Sequence, residues 1–138
     1  TAAITAAETG HLVLSTLHTT SAAQTIERII DAYPAHGQSQ ARTQLANVLR
    51  GIVTQQLIPM EDGTGMAMAT EILINTDAIA NQIRENKTHQ IISSMQGGAA
   101  LGMHTLNADL KHLVREQKIT EEMARKYTTN VKDFETQR

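Results

Sequence analysis

The sequence GHLVLSTLHTTSA, residues 10–22, decides the fold. Its apolar run Leu12–Leu17 has the length of a buried strand, bounded by a glycine on one side and by hydroxyl residues on the other. The side chain of Thr20 or Ser21 can accept from the free N–H groups of a following helix, so we expect a helix to begin there. His18 then lies at the carboxyl end of a buried strand, which is the edge of an open α/β sheet where ligands bind.

The rest of the chain is predicted to be mostly helical, with one β-hairpin. Apolar residues recur at helical spacing in several segments, and a polar turn at 61–65 separates two strand-like runs. We expect a polar tail over 131–138 to fray. The predicted helices cover residues 1–9, 20–33, 39–55, 78–85, 88–95 and 103–116 and resume at 120, and the predicted strands cover 56–60 and 66–74.

Composition narrows the function classes. The 138 residues suffice for one modest core of mainly aliphatic side chains, because aromatic residues make up only 2%. The net charge of −2 argues against a nucleic-acid partner, since phosphate binders normally carry a basic stripe. The lack of cysteine excludes disulfides and fits a cytoplasmic location, and no apolar stretch reaches the ~20 residues that span a bilayer. The six histidines show neither H-E-x-x-H spacing nor an i, i+4 pairing with a carboxylate, so no metal site is predicted.

Three motifs resemble one family of motors. Residues 10–22 resemble the His box of the secretion and pilus-motor ATPases, which are hexameric P-loop motors. Residues 23–34, AQTIERIIDAYP, and 78–85, AIANQIRE, resemble the pilus-retraction (twitching-motility) branch, where the second motif reads AIRNLIRE. The likeness extends over residues 1–113, with the motifs in the family's order. The turn at 61–65 lacks the cysteine-rich zinc insertion that is usual in the secretion branch, which favours retraction over secretion or pilus extension.

The resemblance implies a fold and an activity. Residues 1–75 would be the C-terminal part of a RecA-like P-loop ATPase core of α/β class, and residues 76–138 a helical C-terminal region. The intact protein would be a cytoplasmic homohexamer that binds ATP and Mg²⁺ at the inner face of the cytoplasmic membrane. It would hydrolyse ATP to power type IV pilus retraction, together with the inner-membrane platform protein and the pilus assembly machinery.

Two elements of such a motor are missing from residues 1–138. There is no phosphate loop of the form G-x-x-x-x-G-K-[ST] and no Walker B strand, and the chain opens in a helix without a start signal. We therefore expect these residues to be the C-terminal part of a longer motor, inactive as an ATPase alone. The alternatives are a pilus-extension or type II secretion ATPase, or a non-catalytic helical interaction module.

His18 is the predicted catalytic residue. The resemblance assigns its ring a contact with the γ-phosphate of ATP, where a donor can stabilise charge on the transferred group. His11, the second His-box position, is predicted to bind the nucleotide together with His18. The alternative for His18 is a structural hydrogen bond to nearby backbone, and for His11 one to a loop carbonyl or carboxylate. Arg28, Arg42 and Arg50 are candidate arginine fingers, although surface arginines on amphipathic helices are the default.

The segment 78–85 is the predicted motor-output motif. In the family it is required for retraction and acts outside the nucleotide pocket. Ile79 and Ile83 share one helical face at i, i+4, and an ordinary amphipathic helix is the alternative. Ala80 stands where the motif has an arginine, and Gln82 where it has a leucine. The matching residues are Ala78, Ile79, Asn81, Ile83, Arg84 and Glu85.

Overall fold

Eight α-helices and a two-stranded sheet form an α/β fold over residues 2–136, which are the residues that the computed structural model describes. Short 3₁₀ turns at Ala35–Gly37, Thr88–Gln90 and Ala99–Leu101 join some of the helices. The strands are β1 (Gly51–Pro59) and β2 (Met66–Ile74). The helices are α1 (Ala2–Glu8), α2 (Ala22–Asp31), α3 (Gln38–Val48), α4 (Asp77–Arg84), α5 (Ile91–Gln96), α6 (Leu106–Arg115), α7 (Glu121–Tyr127) and α8 (Val131–Thr136).

The hairpin is confirmed, but its first strand begins earlier than predicted. The strands pair antiparallel, from Gly51 opposite Ile74 to Pro59 opposite Met66. The predicted helix over 39–55 is therefore wrong beyond Val48, because the β-branched residues that follow satisfy their backbone in the sheet rather than in another helical turn. Gly51 fits this pairing because a Cβ there would lie 3.0 Å from the carbonyl oxygen of Leu73.

The predicted strand Leu12–Leu17 is wrong for this structure. Residues 11–19 have no regular secondary structure, and the side chains of Leu12 and Leu14 are 84% and 87% exposed. The physical reason is the lack of a partner: within residues 2–136 the one sheet consists of β1 and β2, and neither pairs with this segment. A strand without a neighbour leaves its backbone N–H and C=O groups without ladder hydrogen bonds.

Two clusters of buried side chains surround the hairpin. The larger joins α2, α3, α4 and α5 to Leu73 at one end of β2. The smaller joins the other end of the hairpin, at Ile58 and Ala67, to α6, α7 and α8. The hairpin thus ties the two clusters together, while the predicted domain boundary after residue 75 stays a prediction.

Hydroxyl side chains cap several of the predicted helices. Ser21, Thr76 and Thr120 each accept from the backbone N–H three residues ahead, at the starts of α2, α4 and α7. The predicted end of the first helix is confirmed, since Gly10 follows α1 with a left-handed φ of 98°.

Two helix predictions near the end of the chain need correction. Helix α6 starts at Leu106 rather than at 103, because Thr105 caps it. The predicted fraying is wrong for 131–136, which form α8 and bury Phe134. Residues 137 and 138 of that prediction lie outside the described residues, as does residue 1 of the predicted first helix. None of the described helices is long and apolar enough to cross a membrane.

Candidate functional site

His18 lies on the surface, in the irregular segment that leads into α2. Its side chain is exposed, and no hydrogen bond from it is found among residues 2–136. The backbone hydrogen bond that the alternative interpretation required is therefore not formed within the described residues. The ring is accessible to a ligand, and its role as the catalytic contact stays a prediction.

His11 is tied to the end of α1 instead of standing free. Its Nδ1 lies 3.2 Å from the carbonyl oxygen of Ala6 and 3.3 Å from the hydroxyl of Thr9. This structural hydrogen bond differs from the loop contact that the alternative for His11 described, because Ala6 belongs to α1. Its Nε2 has no described partner among residues 2–136, so the predicted nucleotide contact stays a prediction.

Hydrogen bonds fix the turn between His18 and α2. The hydroxyls of Thr19 and Thr25 are 2.6 Å apart. The backbone N–H of Thr20 donates to the side-chain oxygen of Gln24 over 2.9 Å, and Ser21 Oγ accepts from the Gln24 N–H over 3.1 Å. The backbone that follows His18 is thus held against the first turn of α2.

Glu71 is a buried carboxylate that the sequence analysis did not single out. It lies on β2 with only 5% of its surface exposed. Its Oε2 accepts from the backbone N–H of Ala22, the first residue of α2, over 2.7 Å, and its Oε1 from that of Leu106, the first residue of α6, over 3.1 Å. One charged group therefore completes the N-terminal capping of two helices, which their positive dipole ends favour.

A signal for Glu71 was present in the sequence. Alternate residues of β2 from Ala67 to Leu73 face the buried side, and Glu71 is the one carboxylate among them. A charge on the apolar face of a strand requires hydrogen-bond partners. A hydrogen-bonded, buried carboxylate at Glu71 could therefore have been predicted from the sequence, but the two helix N-termini that it contacts could not.

Helix α4 presents the predicted motor-output motif. Ile79 and Ile83 are fully buried, which confirms that they share one face of the helix. Ala78, Asn81 and Glu85 are exposed, and so is Arg84, whose guanidinium donates to Asn47 of α3 over 2.8 Å. The part that these residues take in motor output stays a prediction.

The two departures from the family's motif have different surroundings. Ala80 is 6% exposed, so an arginine in its place would have to extend past buried neighbours. Gln82 donates through Nε2 to the Oγ of Ser94 on α5 over 2.9 Å. The polar residue at the leucine position thus exchanges apolar contact for a hydrogen bond between two helices.

Glu27 is a second carboxylate with partners on other elements. From α2 it accepts from the hydroxyl of Thr88 over 2.7 Å, and both of its oxygens lie 3.4 Å from the guanidinium of Arg42 on α3. Burial raises the pKa of Glu27, but the Thr88 hydrogen bond and the Arg42 charge together hold it below its ordinary value. Arg42 is 8% exposed, so its default assignment as a surface arginine is wrong, whereas Arg28 and Arg50 are exposed.

His112 and His104 each pair with a polar side chain. His112 Nε2 lies 3.0 Å from the carboxylate of Glu116 at i, i+4, so the prediction that no such pair exists is wrong. The ring of His104 is 2.8 Å from the hydroxyl of Thr70. Within residues 2–136, no group of three or more histidine and acidic side chains is placed to hold a metal ion.

Known proteins resemble this chain along almost all of its length. The sequence model of the family described as "Type II/IV secretion system protein" matches residues 1–138. The chain is 47% identical over 128 residues to the "Twitching motility protein" of Neisseria gonorrhoeae, which covers 93% of this chain and 34% of that protein. It is 50% identical over 123 residues to the "Type IV pilus retractation ATPase PilT" of Pseudomonas aeruginosa, covering 89% of this chain and 36% of that protein.

The fold matches a solved structure of the pilus retraction motor PilT with bound ADP. The TM-score is 0.88 at 43% sequence identity, over 99% of this chain and 38% of that chain. The chain thus spans about a third of the length of the proteins it resembles.

Proposed function

Because the chain belongs to the type II/IV secretion system protein family, we propose that it is part of an ATPase motor that powers type IV pilus retraction. The observation that carries the proposal is the match, in sequence and in fold, of nearly the whole chain to an ADP-bound pilus retraction motor. The cysteine-free turn at 61–65 supports the retraction branch over the secretion and extension branches. The intact protein is a homohexamer that works with an inner-membrane platform protein and the pilus assembly machinery from the cytoplasmic side.

His18 is proposed to contact the γ-phosphate of ATP from the surface of this chain. Its ring is exposed and can donate to a phosphate oxygen as negative charge builds up during transfer. The N–H groups of Ala22 and Gln24 at the start of α2 already donate to Glu71 and Ser21. Contact with the phosphate is therefore assigned to the histidine side chain rather than to the helix backbone.

The remaining parts of the nucleotide site are proposed to lie outside residues 1–138. These residues contain no phosphate loop, and within 2–136 no acidic and histidine side chains are grouped as ligands for Mg²⁺. The metal, held elsewhere in the intact protein, would neutralise charge on the β- and γ-phosphates. The isolated chain is therefore expected to be inactive.

The kinetics of His18→Ala in the full-length gene product test this assignment. We expect kcat to fall on the order of 10²-fold while KM for ATP changes only a few-fold, because the contact strengthens only as charge develops. His36→Ala, another exposed histidine, is the matched control and should leave both constants unchanged. Unchanged turnover of a folded His18→Ala hexamer would remove His18 from the proposed mechanism.

A further inference from the structure

The side chain of Glu27 joins α2, the helix that follows His18 in sequence, to the segment that follows the motor-output motif. Glu27 lies on α2, and Thr88, which donates to it over 2.7 Å, begins the 3₁₀ turn that follows α4. The two residues are 61 positions apart in sequence. The contact is therefore a tertiary link between α2 and the segment that follows α4, and not part of a local turn.

The junction between α4 and Thr88 is held tightly to the end of α4. The N–H of Asn86 donates to the carbonyl of Ile83, and that of Lys87 donates to the carbonyl of Gln82 over 2.8 Å. Asn86 has a left-handed φ of 59°, a conformation that asparagine tolerates better than most residues. Thr88 is therefore connected to the last turn of α4 by a short, hydrogen-bonded segment.

Hydrogen bonds also fix Glu27 and the start of α2, at the other end of the link. Glu71 fixes the first residue of α2 to β2, and the turn behind His18 is bonded to the first turn of α2. Arg42 holds Glu27 from the side of α3, at 3.4 Å from each carboxylate oxygen. Glu27 is thus placed by α2 and by Arg42, so a shift of α2 relative to α3 would alter its hydrogen bond to Thr88.

We propose that Glu27 and Thr88 form the positioning link through which α2, moved by nucleotide contact at His18, acts on α4. This link rests on the proposed function. It is the contact through which a change in the bound nucleotide would alter the position of the motor-output motif. Both residues are assigned to positioning α4 and not to binding the nucleotide. The link instead biases the position of α4 according to the nucleotide that is bound.

The test compares Thr88→Val and Thr88→Ser in the full-length hexamer. Valine keeps the branched shape and removes the donor, whereas serine keeps the donor. Thr43→Val on α3 is the matched control, because within the described part of the chain the hydroxyl of Thr43 bonds only to the carbonyl of Ser39 in its own helix. The readout is amide hydrogen exchange in α4, measured with saturating ATP and with saturating ADP, alongside steady-state ATPase activity.

In the wild type, Thr88→Ser and Thr43→Val, we expect exchange in α4 to differ about tenfold between the two nucleotides, a typical size for coupling between sites. In Thr88→Val the difference should vanish while the ATPase rate stays within about threefold, since one uncharged donor remote from the nucleotide is lost. The link would be overturned if the exchange difference between ATP and ADP were as large in Thr88→Val as in the wild type. It would also be overturned if that difference were absent in the wild type or in Thr88→Ser. Absence of any Mg²⁺-dependent ATPase activity in the wild type would instead overturn the proposed function.

Discussion

Replacing Glu71 by glutamine isolates the charge that caps two helices at once. The carboxylate accepts from the first N–H of α2 and the first N–H of α6, at 5% exposure. Glutamine has nearly the same shape but only one acceptor oxygen, so its NH₂ group must face one of the two backbone donors. One N–H is then left buried without a partner.

The magnitude follows from these contacts. Loss of one hydrogen bond to a charged group costs roughly 1.5–3 kcal/mol. Loss of the negative charge beside two helix N-termini costs about 0.3–1 kcal/mol for each helix. We therefore expect Glu71→Gln to lower the free energy of unfolding of the 138-residue chain by about 2–5 kcal/mol.

Urea unfolding followed by circular dichroism measures this loss, and hydrogen exchange at the Ala22 and Leu106 amides locates it. The control is Glu61→Gln in the exposed hairpin turn, which should change the free energy of unfolding by less than about 0.5 kcal/mol. Equal losses in Glu71→Gln and Glu61→Gln, with unchanged exchange at both amides, would refute the capping argument.

Three further predictions concern α4 and Glu27. In the full-length hexamer, Asn81→Ala combined with Arg84→Ala should leave ATPase activity within a few-fold but abolish twitching, because both side chains are exposed on the motif; surviving motility would make α4 merely a packed helix. A double-mutant cycle of Gln82→Ala and Ser94→Ala, followed by urea unfolding, should give a coupling of about 0.5–1.5 kcal/mol for their hydrogen bond, and zero coupling would contradict it. Because the pKa of Glu27 is lower in the folded state, its ionised side chain stabilises the fold above the ordinary glutamate pKa. The difference in unfolding free energy between wild type and Glu27→Gln should therefore shrink as the pH falls through the folded-state pKa. A difference that stays constant with pH would contradict this.

Local rules predicted much of the fold. A hydroxyl before an apolar periodic run predicted a cap at Thr20 or Ser21, and Ser21 forms it, since the acceptor and its N–H lie three residues apart in sequence. The polar turn at 61–65 likewise predicted the hairpin. The buried pair Ile79 and Ile83 followed from helical spacing alone.

The features that the sequence analysis missed depend on contacts between residues that are distant in sequence. Leu12–Leu17 has the composition of a buried strand, yet a strand forms only where another strand pairs with it. The end of α3 was misplaced because Ile52 and Val53 fit a helical period as well as a strand, and pairing with β2 decided between them. The site carboxylates were missed because Glu71 bonds to residues 49 and 35 positions away and Glu27 to one 61 positions away.

We propose that the intact protein drives pilus retraction by hydrolysing ATP. The most direct test is the twitching zone of a strain that lacks its own retraction motor and expresses the full-length gene product. We expect the wild-type gene to restore twitching and His18→Ala, at equal protein level, to fail. No twitching with a stably expressed wild-type protein, or full twitching with His18→Ala, would contradict the account.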